Sequence, residues 1–82
     1  MQKQIVVLQR GWVVVGDVTT EGDQVTIENG SVIRRWGTTQ GLGELVNGPT
    51  PKTVLDKCNG TVRANVLGVV LTLDVDAEKW AA

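Results

Sequence analysis

Three observations predict an all-β fold for this chain, a small barrel of five to seven short strands. Its core-forming residues are Val, Leu and Ile, with no Phe, no Tyr and three Trp among 82 residues, and β-branched side chains suit a pleated, half-buried surface. Its continuous apolar runs are at most four residues long, the length of strands rather than of helices. Gly- and Asn-containing turn pairs separate those runs at short intervals.

The elements follow in order. Gln4 to Gln9 carries Ile5, Val6, Val7 and Leu8, and Trp12 to Val18 carries Trp12, Val13, Val14 and Val15; both read as strands, with Arg10-Gly11 as the tight turn between them. Successive strand side chains point to opposite faces, so continuous apolar runs imply burial on both. In so small a chain, the expected cover for the second face is another subunit. Glu21-Gly22-Asp23 marks the next turn, and Val25 and Ile27 alternate with polar residues as a third strand. Asn29-Gly30 predicts a type I′ hairpin turn leading into a fourth strand, Ser31 to Trp36. There the alternation places Val32, Arg34 and Trp36 on one face and Ile33 and Arg35 on the other.

The stretch from Gly37 to Thr53, GTTQGLGELVNGPTPKT, then interrupts the strand pattern. Within it Leu42, Leu45 and Val46 are spaced for one short helical turn tucked under the loop, and Pro49 and Pro51 hold the following chain extended. A short strand over Thr53 to Cys58, a second hairpin at Asn59-Gly60, a strand over Thr61 to Asn65 and a last strand over Val69 to Val75 complete the sheet. In the last strand Val69, Leu71, Leu73 and Val75 are expected to face inward. A final helical turn is expected to dock Trp80. No linker, internal repeat or low-complexity tract divides the chain, so residues 1–82 read as a single domain.

Composition narrows the function classes. A net charge of −1 lacks the broad positive field of a non-specific nucleic-acid binder. With no histidine, Ser-His-Asp and Cys-His catalysis and His-containing zinc sites are excluded. Cys58, the one cysteine, rules out an internal disulfide and fits a reducing compartment, so a cytoplasmic location is expected. The N-terminal apolar run is too short for a signal-peptide core or a membrane span. Asp74, Asp76 and Glu78 lack the full ligand series and central glycine of a calcium loop, and read as a solvated strand end. Neither enzyme activity nor a cofactor or metal is expected.

The candidate binding element is the 37–53 loop with the strand end before it. Ordering each backbone residue costs roughly 1–2 kcal/mol, and so long a connection in a small β domain points to a use. Gly43 to Thr50, GELVNGPT, has the two-glycine spacing of a phosphate loop, but Pro49 stands where the lysine belongs, which excludes a nucleoside-triphosphatase loop. What remains is a looser arrangement: backbone N–H groups near Gly41 and Gly43 with the hydroxyls of Thr38, Thr39, Thr50 and Thr53 around an anion or sugar, and Asn47 alongside. Arg34 or Arg35 would pair with phosphate, Trp36 would stack on a base, and Lys52 would add a charge at the far end of the loop. Glycines that merely permit turns, and arginines paired at the surface with Glu28 or Glu44, are the structural alternative.

The segment Gln9 to Trp36, QRGWVVVGDVTTEGDQVTIENGSVIRRW, resembles the strand-rich centre of Sm-like and other SH3-like small barrels, which implies strongly bent strands joined by short turns. Asp23-Gln24-Val25 departs from the Asp and Asn pairing of the Sm-like family, so uridine-type RNA binding is not what the resemblance implies here. In size and style, and in WGTTQGLGELVNGPT, the chain is similar to small bacteriophage-encoded β proteins, a class that includes sponges sequestering cyclic or ADP-ribose-derived immune signals. That resemblance implies a compact, non-enzymatic homo-oligomer binding a nucleotide-like small molecule. The alternatives are a protein-interaction, virion or inhibitor module that uses the 37–53 loop and, third, an RNA-binding ring.

Overall fold

The computed structural model describes residues 2–80. Six antiparallel strands form one sheet: β1 (Gln2–Leu8), β2 (Val13–Glu21), β3 (Gln24–Arg35), β4 (Val54–Lys57), β5 (Val62–Asn65) and β6 (Val69–Asp74). They lie in the order β4-β3-β2-β1-β6, and β5 also pairs with β3. The predicted small all-β fold is therefore present. Among the described residues no ladder joins β6 to β4 or β5. The sheet rolls instead, so that Val62 of β5, Val66 and Val69 of β6 pack against one shared cluster.

The β1–β2 connection is the expected tight turn. Arg10 and Gly11 both take positive φ (66° and 81°), and the N–H of Leu8 donates to the carbonyl of Trp12 at 2.7 Å. Gly22, at φ 55°, begins the two-residue turn between β2 and β3.

Asn29-Gly30 is not a hairpin turn. It lies inside β3, where Val15 pairs with Ser31 and Asp17 with Glu28, so that Asn29 and Gly30 together face the single residue Gly16. The pair is a β-bulge, with Asn29 at φ 52°. A Cβ on Gly16 would lie 2.6 Å from Ile27 Cγ2 and 2.9 Å from Gly30 Cα. Glycine at position 16 thus permits the close backbone approach, and the bulge forms where a hairpin would otherwise reverse the chain. Asn59-Gly60 likewise makes no hairpin. The strands on either side of it, β4 and β5, both run antiparallel to β3 and follow its two halves end to end.

The extra residue in β3 also reverses which face its side chains meet. Val25 and Ile27 join Val6, Val14 and Val18 on one side of the sheet. Ile33, beyond the bulge, joins Ile5, Val13 and Val15 on the other. A similar irregularity between Val7 and Leu8 in the β1–β6 ladder leaves Val69 on the first side and Leu73 and Val75 on the second. Leu71 is exposed rather than inward.

Both faces of β1 and β2 are buried, as the apolar runs require, and the chain itself supplies both covers. On one side the cover is the rolled sheet. On the other it is the long loop and the C-terminal turn. Leu42–Asn47 forms the predicted short helical turn, of 3-10 type, and buries Leu45 completely. Trp80 docks on it as expected, with its indole N–H donating to the carbonyl of Leu45 at 2.8 Å. The N–H of Asp76 donates to the carbonyl of Val46 at 2.9 Å, which fixes the tail against the loop. No helix among the described residues is long and apolar enough to cross a membrane.

Candidate functional site

The 37–53 loop is closed at its base by two threonine hydroxyls. Thr53 Oγ1 donates to the carbonyl of Trp36 at 2.6 Å, and Thr50 Oγ1 donates to the carbonyl of Gly37 at 2.7 Å. The N–H of Thr50 donates to Thr53 Oγ1 at 2.9 Å, and that of Lys52 to Thr50 Oγ1 at 3.2 Å. Entry and exit of the loop are so close that a Cβ on Gly37, at φ +67°, would lie 2.4 Å from the backbone carbon of Lys52. The hydroxyls of Thr50 and Thr53 are therefore engaged in holding the loop shut.

Two backbone donors just before Gly41 already meet a carboxylate. The N–H groups of Thr39 and Gln40 donate to the carboxylate of Glu44, Oε2, at 3.0 and 3.3 Å. Gly41, at φ +91°, accepts from the N–H of Glu44 at 3.2 Å, completing the turn. Gly43 and Asn47 are exposed on its outer side, as is the side chain of Lys52, while Thr38 is half-buried. The loop thus supplies its own carboxylate to the N–H groups of Thr39 and Gln40.

At the strand end, Arg34 pairs through Nε with Asp56 Oδ2 at 3.0 Å, not with Glu28 or Glu44. Both side chains of this pair are mostly solvated, 66% and 51% exposed, so it contributes little to stability. Ile33 pairs with Leu55 and Arg35 with Val54, which makes Arg34 the extra residue of a second bulge. That bulge breaks the two-residue alternation. Arg34 and Arg35 consequently line one shallow depression of about 380 Å³ with Val54, rather than pointing to opposite faces. Trp36 is outside its lining and 41% exposed.

A more enclosed cleft of about 280 Å³ lies elsewhere, on the face that the loop and tail cover. Its floor is a cross-strand row, in which Val15 of β2 pairs with Ser31 of β3 and Ser31 with Lys57 of β4. Leu55 extends the floor, and Pro49, Lys79 and Trp80 form the opposite wall. Lys3 and Asn29 close one end. Gly48, at φ +107°, lets the wall assemble, since a Cβ there would lie 3.0 Å from Lys79 Cβ.

Three lysines converge on this cleft. Lys3 Nζ lies 3.4 Å from Asp17 Oδ1, and Asn29 Nδ2 donates to Asp17 Oδ2 at 3.2 Å. These two contacts, the Asn29 hydrogen bond first, hold the Asp17 carboxyl below its ordinary pKa of 3.8. Neither Lys57 nor Lys79 has a carboxylate partner among the described residues. Lys3 is thus neutralised by Asp17, and Lys57 and Lys79 are the two unpaired cations in a lining that also holds Val15, Leu55, Pro49 and Trp80. An apolar wall with a few convergent polar and charged groups is the general form of a small-molecule site. Residues 3, 57 and 79 lie far apart in the chain and in no motif, so only the strand pairing of β1 and β4 within the sheet and the docking of the C-terminal turn bring them together.

No protein-family model matches the chain, and comparison with curated proteins and with solved structures finds none similar to it.

Proposed function

We propose that this protein is a non-enzymatic, homo-oligomeric cytoplasmic binding protein that sequesters a nucleotide-like small molecule, a sponge of the phage anti-defence type. The observation that supports this reading is the cleft of Lys3, Lys57 and Lys79, with Asn29 and Ser31 as neutral polar groups beside an apolar wall. A phosphate or pyrophosphate group would pair with Lys57 and Lys79, which have no carboxylate partner among the described residues. The volume, about 280 Å³, admits a sugar-phosphate portion and leaves the base at the mouth. Sequestration needs tight binding, with Kd near or below about 0.1 μM, or roughly 9.5 kcal/mol.

Calorimetry against a panel of cyclic and ADP-ribose-derived nucleotides tests this. Binding near the stated Kd, weakened at least tenfold by Lys57→Glu or Lys79→Glu and little changed by Arg35→Glu, is expected. A panel in which nothing binds tighter than tens of micromolar sinks the proposal.

A second reading, a protein-interaction module, is favoured by Trp36 and Arg35 exposed together at the base of the loop, since tryptophan and arginine dominate binding hot spots. Here hydrogen exchange in residues 37–53 slows with a protein partner and not with any nucleotide.

A further inference from the structure

We infer that the outer edge of β6 is a self-association surface, at which a second copy of this chain adds its own β6 antiparallel to make one continuous sheet across a two-fold axis. The two edges of the sheet differ in kind. The β4–β5 edge is broken at residues 58–61 and carries Asp56, Lys57 and Arg63, the interruptions and charges that discourage strand addition. The β6 edge, VVLTLD, has no proline, no lysine and no charge before Asp74, and its one irregularity, the extra residue Val70, lies at its start and leaves Leu71 to Asp74 regular. Val70 is 63% exposed and Leu71 44%. At the same end, where Leu8 pairs with Val69, Trp12 and Leu67 are also exposed.

The backbone fixes the register. The N–H of Val75 donates to the carbonyl of Lys3, and hydrogen-bonding residues alternate along an antiparallel ladder. Leu73 and Leu71 therefore bond to Ile5 and Val7 of β1, and the N–H and C=O groups of Thr72 and Asp74 point away from β1. Among the described residues no strand pairs with that side.

A two-fold axis through Thr72 satisfies these groups. Thr72 then faces its own copy, Leu71 faces Leu73 and Val70 faces Asp74. No like charges are opposed. Threonine pairs and apolar pairs directly across a ladder are favourable ones. Asp74 is also steadied from within its own chain, since Gln4 Nε2 donates to Asp74 Oδ1 at 2.7 Å. Pairing β6 with the β4–β5 edge of another copy would be head-to-tail, giving a ring where the rotation closes and a filament where it does not, and the broken, charged β4–β5 edge opposes both.

This inference rests on the homo-oligomeric part of the proposed function and not on its ligand, and the two are tested separately. Sedimentation of the full chain across a concentration series, with hydrogen exchange followed by NMR at each concentration, reads the interface directly. The expected result is a dimer in which the Thr72 and Asp74 amides are protected at least tenfold, protection that falls on dilution together with the dimer fraction. Val70→Lys, at an exposed position, is expected to raise the dimer dissociation constant at least tenfold while the circular dichroism spectrum stays that of a β protein. The inference is overturned by a chain that remains monomeric up to millimolar concentration, or by an oligomer whose Thr72 and Asp74 amides exchange at unprotected rates. Nucleotide binding by a monomer would overturn this interface and leave the ligand reading standing.

Discussion

Replacing Trp80 by alanine tests whether the chain covers its own second face. Trp80 is 8% exposed and packs with Ile5, Val13, Val15, Ile33 and Leu45. An indole buries about 150–250 Å², which at about 25 cal/mol per Å² is roughly 4–6 kcal/mol. Subtracting about 1 kcal/mol for the side-chain freedom regained on unfolding leaves about 3–5 kcal/mol, the usual cost of a buried Trp→Ala change. A domain of 82 residues has a total stability of only about 4–12 kcal/mol. The variant is therefore expected to lose a large fraction of its stability and to melt at least about 12 °C lower.

Urea unfolding followed by circular dichroism measures the loss. Fluorescence adds an independent reading, because Trp12 and Trp36 are 57% and 41% exposed and the blue-shifted emission of the folded protein should belong to Trp80. Trp80→Phe keeps most of the bulk and removes the N–H that meets the carbonyl of Leu45. That carbonyl still accepts from the N–H of Gly48 at 3.1 Å, so the expected cost is about 1 kcal/mol. A loss below about 1 kcal/mol in Trp80→Ala would refute the assignment of Trp80 as the cover of that face.

Gly37→Ala is expected to cost about 2–5 kcal/mol, from roughly 1–2 kcal/mol for a left-handed backbone and roughly 1–3 for crowding against Lys52. Urea unfolding measures it, and faster exchange of the Thr50 and Thr53 amides would locate the damage at the loop base. Asp17→Asn is expected to cost about 1 kcal/mol at pH 7, within the range for a partly exposed carboxylate that loses a hydrogen bond and an ion pair. Because the folded-state pKa of Asp17 lies below its ordinary 3.8, its contribution is present above that value and lost as pH falls through the folded pKa. The difference between wild type and variant should accordingly shrink below pH 4, and a difference constant from pH 7 to pH 2 contradicts the account.

How far the sequence reaches depends on the range of the interaction. Strand content, the Arg10-Gly11 and Gly22 turns and the short helical turn at Leu42 are encoded by neighbours in the chain, through side-chain branching, φ preference and apolar spacing. All of them are legible from residues alone. So is the need to bury both faces of β1 and β2, although not what buries them: a second subunit and a folded-back loop satisfy the same apolar pattern.

Pairing across strands decided the rest. Asn29-Gly30 carries the local chemistry of a hairpin and of a bulge equally well, and Gly16 on the neighbouring strand selects the bulge by admitting close backbone contact. The donors and hydroxyls of the 37–53 loop suit an anion in sequence, yet the carbonyls of Trp36 and Gly37 take the Thr53 and Thr50 hydroxyls and Glu44 takes the N–H groups of Thr39 and Gln40. Lys3, Lys57 and Lys79 show no relation in the sequence and converge only because β1, β4 and the C-terminal turn meet on one face. Composition and periodicity determined an all-β chain with two buried faces. Register, which depends on contacts between distant residues, decided where its charges gather.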